Sequence, residues 1–217
     1  MAAPLWDTGG INGATGTTNI TIALTIGANS TRVLYCVYND TSQAGITSIT
    51  WNTSETLTQI ASGQYNTAAA DWYLYRLLAP TATTADLVVV KGGAGQALAA
   101  SVYDTDQTTP NDAEDEAEGS GTAAQNTVAS ATGDLGLAFC GSEGTTTFAV
   151  ASGETERVNV ANRGIIATLD GAASLSFDFT LGTSRPWFVL GLNINAVAAG
   201  GTAVKDLIGG GIIPGPR

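Results

Sequence analysis

The feature that most constrains this chain is the spacing of its apolar residues. They recur at every second position, not at the three-and-four spacing of a helix. In "TNITIALT", Ile20, Ile22 and Leu24 point one way, with Asn19, Thr21 and Ala23 opposite. In "SLSFDFT", Leu175, Phe177 and Phe179 share a face, and Ser174, Ser176 and Asp178 share the other. Such runs are half-buried strands with one face on a core. "RVLYCVY" and "WFVLGLNI" are apolar on both faces and are expected to be central strands, covered on both sides.

Further strand candidates are "GITSITW", "TLTQIAS", "DWYLYRLL", "DLVVVK", "ALAASVY", "LGLAFCG", "TTTFAVA", "RVNV" and "GIIATL". Turn-forming clusters such as "YNDTSQAG", "WNTSE" and "GSEGTT" separate them. About a dozen short strands at this spacing predict an all-β sandwich or barrel, with no long helix. The body is expected over 18–197, between arms at 1–17 and 198–217. One stretch interrupts the strands: residues 104–126, carrying Asp104, Asp106, Asp112, Glu114, Asp115, Glu116 and Glu118. Its composition predicts a solvated, mobile loop joining two halves of one sandwich.

Composition excludes several classes. A net charge of −11 leaves no clustered cations to displace counterions from nucleic acid or to hold an anionic membrane. The absence of histidine removes Ser-His-Asp and Cys-His catalysis and imidazole-ligated zinc. Cys36 and Cys140 lie in apolar runs and are expected to be buried free thiols. The first residues show no secretory signal, and no apolar run reaches the ~20 residues of a membrane helix. No cofactor or metal is expected.

The remaining candidates for chemistry are few. The acidic stretch lacks the spacing and turn glycine of a calcium loop. Asp71 and Asp178 are the nearest approach to a glycosidase carboxylate pair, and alternation puts Asp178 on the outer face of its strand. "KGGAGQ", Lys91 to Gln96, lacks the ending of a phosphate loop and is expected to be a hairpin turn. Trp51, Trp72, Tyr73, Tyr75 and Trp187 would stack on sugars if they formed an exposed row, but strand aromatics ordinarily pack inward.

Six segments in order resemble a known domain: "GITSITWNTSETLTQIASG", "DWYLYRLLAPTATTADLVV", "ASVYDTDQTTP", "SATGDLGLAFCGSEG", "SGETERVN" and "SRPWFVLGLNI". Together, from Asn29 to Ile194, they are similar to a jelly-roll-like β-sandwich domain of tailed-phage virion proteins and bacterial surface proteins. The sequence departs from that pattern at Asn52–Thr53, where a glycine turn is usual, and in the acidic insertion after Pro110. The resemblance implies a jelly-roll-like sandwich and no shared catalytic residues.

Within that family, a chain without a signal and with trailing arms is expected in a virion. The leading expectation is a capsid decoration or cement protein that clamps neighbouring capsid subunits. Its partner would be the major capsid protein, and the setting implies a homotrimer. The alternative is a glycan- or receptor-binding module of a phage tail or bacterial surface adhesin. Six glycines among the last twenty residues disfavour a helix, yet Leu207, Ile208, Ile212 and Ile213 are too apolar for an idle linker. A partner-embracing arm is expected there, with Leu5 and Trp6 as anchors of its N-terminal counterpart.

Overall fold

The structure, a computed structural model, describes residues 3–197 apart from 68, 113 and 152. The expected C-terminal arm, with Leu207, Ile208, Ile212 and Ile213, lies outside the described residues.

The described residues contain strands and no helix. From 5 to 103 they form β1 (Leu5–Ala14), β2 (Ile20–Thr25), β3 (Val33–Asp40), β4 (Ile46–Trp51), β5 (Glu55–Thr56), β6 (Thr58–Tyr65), β7 (Ala70–Leu78), β8 (Thr84–Lys91) and β9 (Gly95–Tyr103). From 115 to 194 they form β10 (Asp115–Ala129), β11 (Leu135–Ser142), β12 (Phe148–Val150), β13 (Thr155–Val160), β14 (Gly164–Asp170) and β15 (Ser174–Ile194).

Three antiparallel sheets result. The central sheet has the order β1-β9-β3-β7-β6, and an outer sheet has the order β2-β8-β4-β5. The third has the order β10-β15-β11-β14-β13, with β12 also on β15. The architecture is a layered, jelly-roll-like β-sandwich.

Alternation along β3 explains the layering. Leu34, Cys36 and Tyr38 pack with Ile22, Trp51 and Leu87 of the outer sheet. Val33, Tyr35 and Val37 pack with Leu137, Phe139 and Leu190 of the third sheet. Every residue of β3 is therefore buried, as its two apolar faces predict. β2 shows the opposite pattern: Ile20, Ile22 and Leu24 are buried and the residues between them exposed.

The third sheet closes a further core on itself. The first half of β15 supplies Leu175, Phe177 and Phe179, which pack with Cys140, Ile165 and Val189. The register between β10 and β15 breaks after Gly121, resuming at Ala123 opposite Thr180. The four residues 181–184 thus oppose the single residue 122, and both long strands bend there. Gly121, at φ 128°, sits at the bend. A Cβ on Gly136 would lie 2.4 Å from Leu175, so that glycine lets the folded-over half approach.

Several expectations are corrected by this arrangement. The N-terminal stretch is no free arm over 5–14; it is β1, paired with β9 from Leu5↔Tyr103 to Ala14↔Gly95. Its glycines make that possible: Gly10 gives room to Ile22, and Gly9 to the ring of its neighbour Trp6. The acidic loop ends at 114, because Asp115 onward is β10, the edge strand beside β15. "SLSFDFT" and "RPWFVLGLNI" are one strand with a bend. "KGGAGQ" joins β8 of the outer sheet to β9 of the central sheet and is no hairpin. The turn without glycine at Asn52–Thr53 still forms, with both residues in the left-handed region (φ 47° and 63°).

Candidate functional site

Three chain crossings between the central and outer sheets meet at one end of the molecule: β1 to β2, β3 to β4, and β8 to β9. Lys91 ties two of them together. It is 4% exposed, and its Nζ donates to the carbonyls of Ala14 (3.2 Å), Gly16 (2.7 Å) and Gly93. Burial pushes its ammonium pKa down, and the Asp40 carboxylate partly offsets this. Asp40 itself holds the third crossing, accepting from the Ser42 amide (3.0 Å), the Ser42 hydroxyl (2.8 Å) and the Gly45 amide (2.7 Å).

Above these crossings lies an open cleft of about 570 Å³. Thr15, Thr18, Thr41, Gly95 and Gln96 form one wall, and Thr145, Asn162 and Arg163 of the third sheet form the other. Gly95 belongs there because a Cβ would stand 2.5 Å from the Tyr38 hydroxyl and from the Asn39 carbonyl. Arg163 is the one charged residue lining the cleft. Its Nη1 donates to Asn12 Oδ1, and Asn12 in turn donates to the Thr21 carbonyl at 2.7 Å. The cleft offers hydroxyls, amides and one guanidinium, with no carboxylate, thiol or aromatic ring among its lining residues. Such a surface can hydrogen-bond a polar ligand but supplies no acid–base pair. Sequence reading missed it, because its walls come from five separate turns with no shared motif.

The residues singled out from the sequence go elsewhere. Trp51, Trp72, Tyr75 and Trp187 are all under 9% exposed, and Tyr73 is partly buried and stacks on Tyr38. These five side chains therefore form no exposed row. Asp71 lies in β7, accepting from Gln64 (3.1 Å) and Tyr73 (3.2 Å). Asp178 lies in β15 of another sheet, so the two carboxylates share no partner. Cys36 and Cys140 are buried free thiols in separate cores. Burial pushes both thiols up, away from the reactive thiolate.

Of the proposed arm anchors, Leu5 is 48% exposed on β1. Trp6 is committed within the chain, packing against the central core with the Arg157 guanidinium 5.7 Å over its ring. The acidic residues divide. Glu116 and Glu118 lie on β10 with Glu114 just before it; burial pushes the Glu116 carboxyl up, a hydrogen bond with Trp72 opposes this, and the two neighbouring glutamates add to the rise. Asp112 turns instead toward the end of β15, where its Oδ2 accepts from Asn193 at 3.0 Å.

No family model matches this chain, and no curated protein matches it. Among solved structures it is similar to a chain in the atomic structure of Sulfolobus turreted icosahedral virus. That likeness has a TM-score of 0.22 and 10% identity, covering 87% of this chain and 91% of the other. At that level it carries no argument about fold or function.

Proposed function

We propose that this chain is a structural protein of a virus particle, a capsid decoration or cement protein that binds neighbouring subunits of the major capsid protein. The observation that carries the reading is how fully the interior claims the groups that chemistry or sugar stacking would use. The tryptophans at 51, 72 and 187 are core, both thiols are core, and Asp71 and Asp178 are apart. What remains is a rigid layered body followed by the sequence "KDLIGGGIIPGPR", whose Leu207, Ile208, Ile212 and Ile213 call for an apolar partner surface. The ordered resemblance of residues 29–194 to phage virion domains supports the same setting. In this reading the protein acts on the virion as a homotrimer, through surface burial.

Light scattering after size exclusion, on the full chain and on a version ending at Val197, tests the reading. A trimer that becomes a monomer on truncation is the expected result. A monomer in both forms would remove the arm from self-association and sink the trimeric form of the proposal. The open cleft beside Arg163 favours a second reading, a module for a polar ligand such as a glycan. It lacks the aromatic platform on which most sugar sites depend, so it stands second.

A further inference from the structure

We propose that the cleft beside Arg163 binds an acidic sugar, a uronic or sialic acid residue of a glycan, with the carboxylate on the Arg163 guanidinium and Gln96 Nε2 as a second donor. The proposal stands apart from the virion reading. It rests on the second reading, since it names the ligand class of that same cleft.

Two hydrogen-bond relays decide which atoms the cleft presents. The first starts at the Ser142 carbonyl, which can only accept. Asn39, 0% exposed, therefore turns its Nδ2 toward that carbonyl, at 3.2 Å. The same nitrogen donates to Gln96 Oε1 at 2.6 Å, and Asn39 Oδ1 accepts from the Tyr65 hydroxyl at 2.7 Å. Gln96 is thereby held by its oxygen, and its Nε2 has no partner among the described residues. Gly13 gives Gln96 its room, because a Cβ there would stand 3.1 Å from Gln96 Cγ. The second relay starts at the Thr21 carbonyl. Asn12 donates to it from Nδ2 at 2.7 Å, which leaves Asn12 Oδ1 to accept from the Gly13 amide (2.8 Å) and from Arg163 Nη1. Arg163 Nε and Nη2 have no partner among the described residues.

Other acceptors on the walls are already engaged. The Ala14 carbonyl is taken by Lys91 Nζ at 3.2 Å, that of Ala94 by the Thr41 hydroxyl at 3.3 Å, and that of Thr145 by Arg185 Nε at 3.3 Å. These bonds also bring Lys91 and Arg185 against the walls. With Arg163, three of the chain's eight cations gather here in a molecule of net charge −11. The nearby carboxylates are committed, Asp40 to the amides of Ser42 and Gly45 and Glu143 to Asn66. Unpaired donors in a positive recess favour an anion.

Shape narrows the class. The free Nε–Nη2 edge of a guanidinium is a planar fork that matches a carboxylate through two parallel hydrogen bonds. A volume of about 570 Å³ exceeds the needs of a bare ion and lies in the range of small-molecule sites. Thr15, Thr18, Thr41 and Thr145 add hydroxyls, which pair well with the hydroxyls of a sugar. No ring lines the cleft, so charge and hydrogen bonds would hold the sugar in place of stacking.

The test uses the isotope-labelled full chain in two-dimensional NMR, at constant ionic strength because added salt screens exposed charge. Sodium glucuronate and sodium N-acetylneuraminate are titrated alongside glucose and sodium acetate. The acidic sugars should shift the Arg163 Nε–H and Gln96 side-chain amide signals, with a dissociation constant of about 1–10 mM. Glucose and acetate should bind at least about 10-fold more weakly. Gln96→Glu keeps an acceptor for Asn39 and puts a negative charge in the cleft, so it should weaken acidic-sugar binding by about 10-fold or more in a chain that still melts cooperatively. Arg163→Gln should do the same. Arg32→Gln removes an equal charge from a side chain bonded to the Asn29 and Pro80 carbonyls, away from the cleft, and should keep binding. Glucose matching glucuronate would overturn the proposal and leave the polar-ligand reading standing, whereas no shift with any sugar would overturn both. Acetate matching glucuronate, or full binding retained in both Gln96→Glu and Arg163→Gln, would overturn the proposal alone.

Discussion

Raising the pH above 10 should destabilise this protein through its interior tyrosines. Tyr35, Tyr38 and Tyr65 are each 0% exposed. Burial pushes all three hydroxyls well above their ordinary value of 10.0. Hydrogen bonds from Tyr35 to Asn111 and from Tyr65 to Asn39 do not reverse this, and the Tyr38 hydroxyl has no hydrogen-bond partner. A group whose pKa is raised on folding contributes stability that is complete below its unfolded pKa. That stability is lost as pH climbs from the unfolded value toward the folded one. At pH 11 the unfolded chain ionises a tyrosine that the folded chain keeps neutral, which costs about 1.4 kcal/mol per group. Three such groups remove about 4 kcal/mol, a large share of the 5–15 kcal/mol typical of a domain. Lys91 works in the opposite sense. Its pKa is lowered from 10.5, so stability from that side rises as pH climbs toward 10.5 and is then constant. Urea unfolding at pH 9 and pH 11, followed by circular dichroism with tyrosinate absorbance alongside, measures the difference. Tyr35→Phe should reduce the pH dependence by about a third. Equal stability at both pH values, or ionisation of all tyrosines near pH 10 in a chain that stays folded, would refute the reasoning.

Two further outcomes follow from side chains the interior has claimed. Trp6→Ala should cost about 2–3 kcal/mol in urea unfolding, from half-buried ring area and the lost Arg157 contact, while the solution mass stays unchanged. A change of mass without loss of stability would return Trp6 to an intermolecular role. Cys36 and Cys140 should resist a thiol reagent in the folded chain and both react in denaturant; a thiol that reacts at native pH would contradict its burial.

Much of the core was legible because burial writes itself as periodicity. β2 reads as inside–outside alternation, and β3 and the second half of β15 read as unbroken apolar runs, and each is buried as its pattern requires. β10 was illegible for a physical reason. An edge strand has one partner and needs no apolar face along its exposed half, so "DEAEGSGTAAQN" looks like loop. Charges on such a strand also discourage stray pairing, which makes its sequence less strand-like still. β1 was hidden similarly, since its glycines serve the side chains above them. The two halves of β15 look like separate strands in the sequence because the polar stretch "LGTSRP" lies between their apolar runs. The β11 ladder ends opposite Trp187, one residue short of that proline. The cleft had no local signature, since it assembles from turns far apart in sequence that only the fold brings together.

The first two sheets are both drawn from residues 5–103, their strands interleaved, and the third from 115–194 alone. A ribosome therefore delivers the material for the first two layers before any of the third. Until the remainder arrives, the face of the central sheet bearing Val33, Tyr35, Val37, Leu98 and Val102 has no cover. The molecule is assembled from two chapters of sequence, and an apolar face of the first is covered only by the second. Shortening the join at 104–114 would bring the cover sooner, at the expense of the Asp112 contact that holds the end of β15.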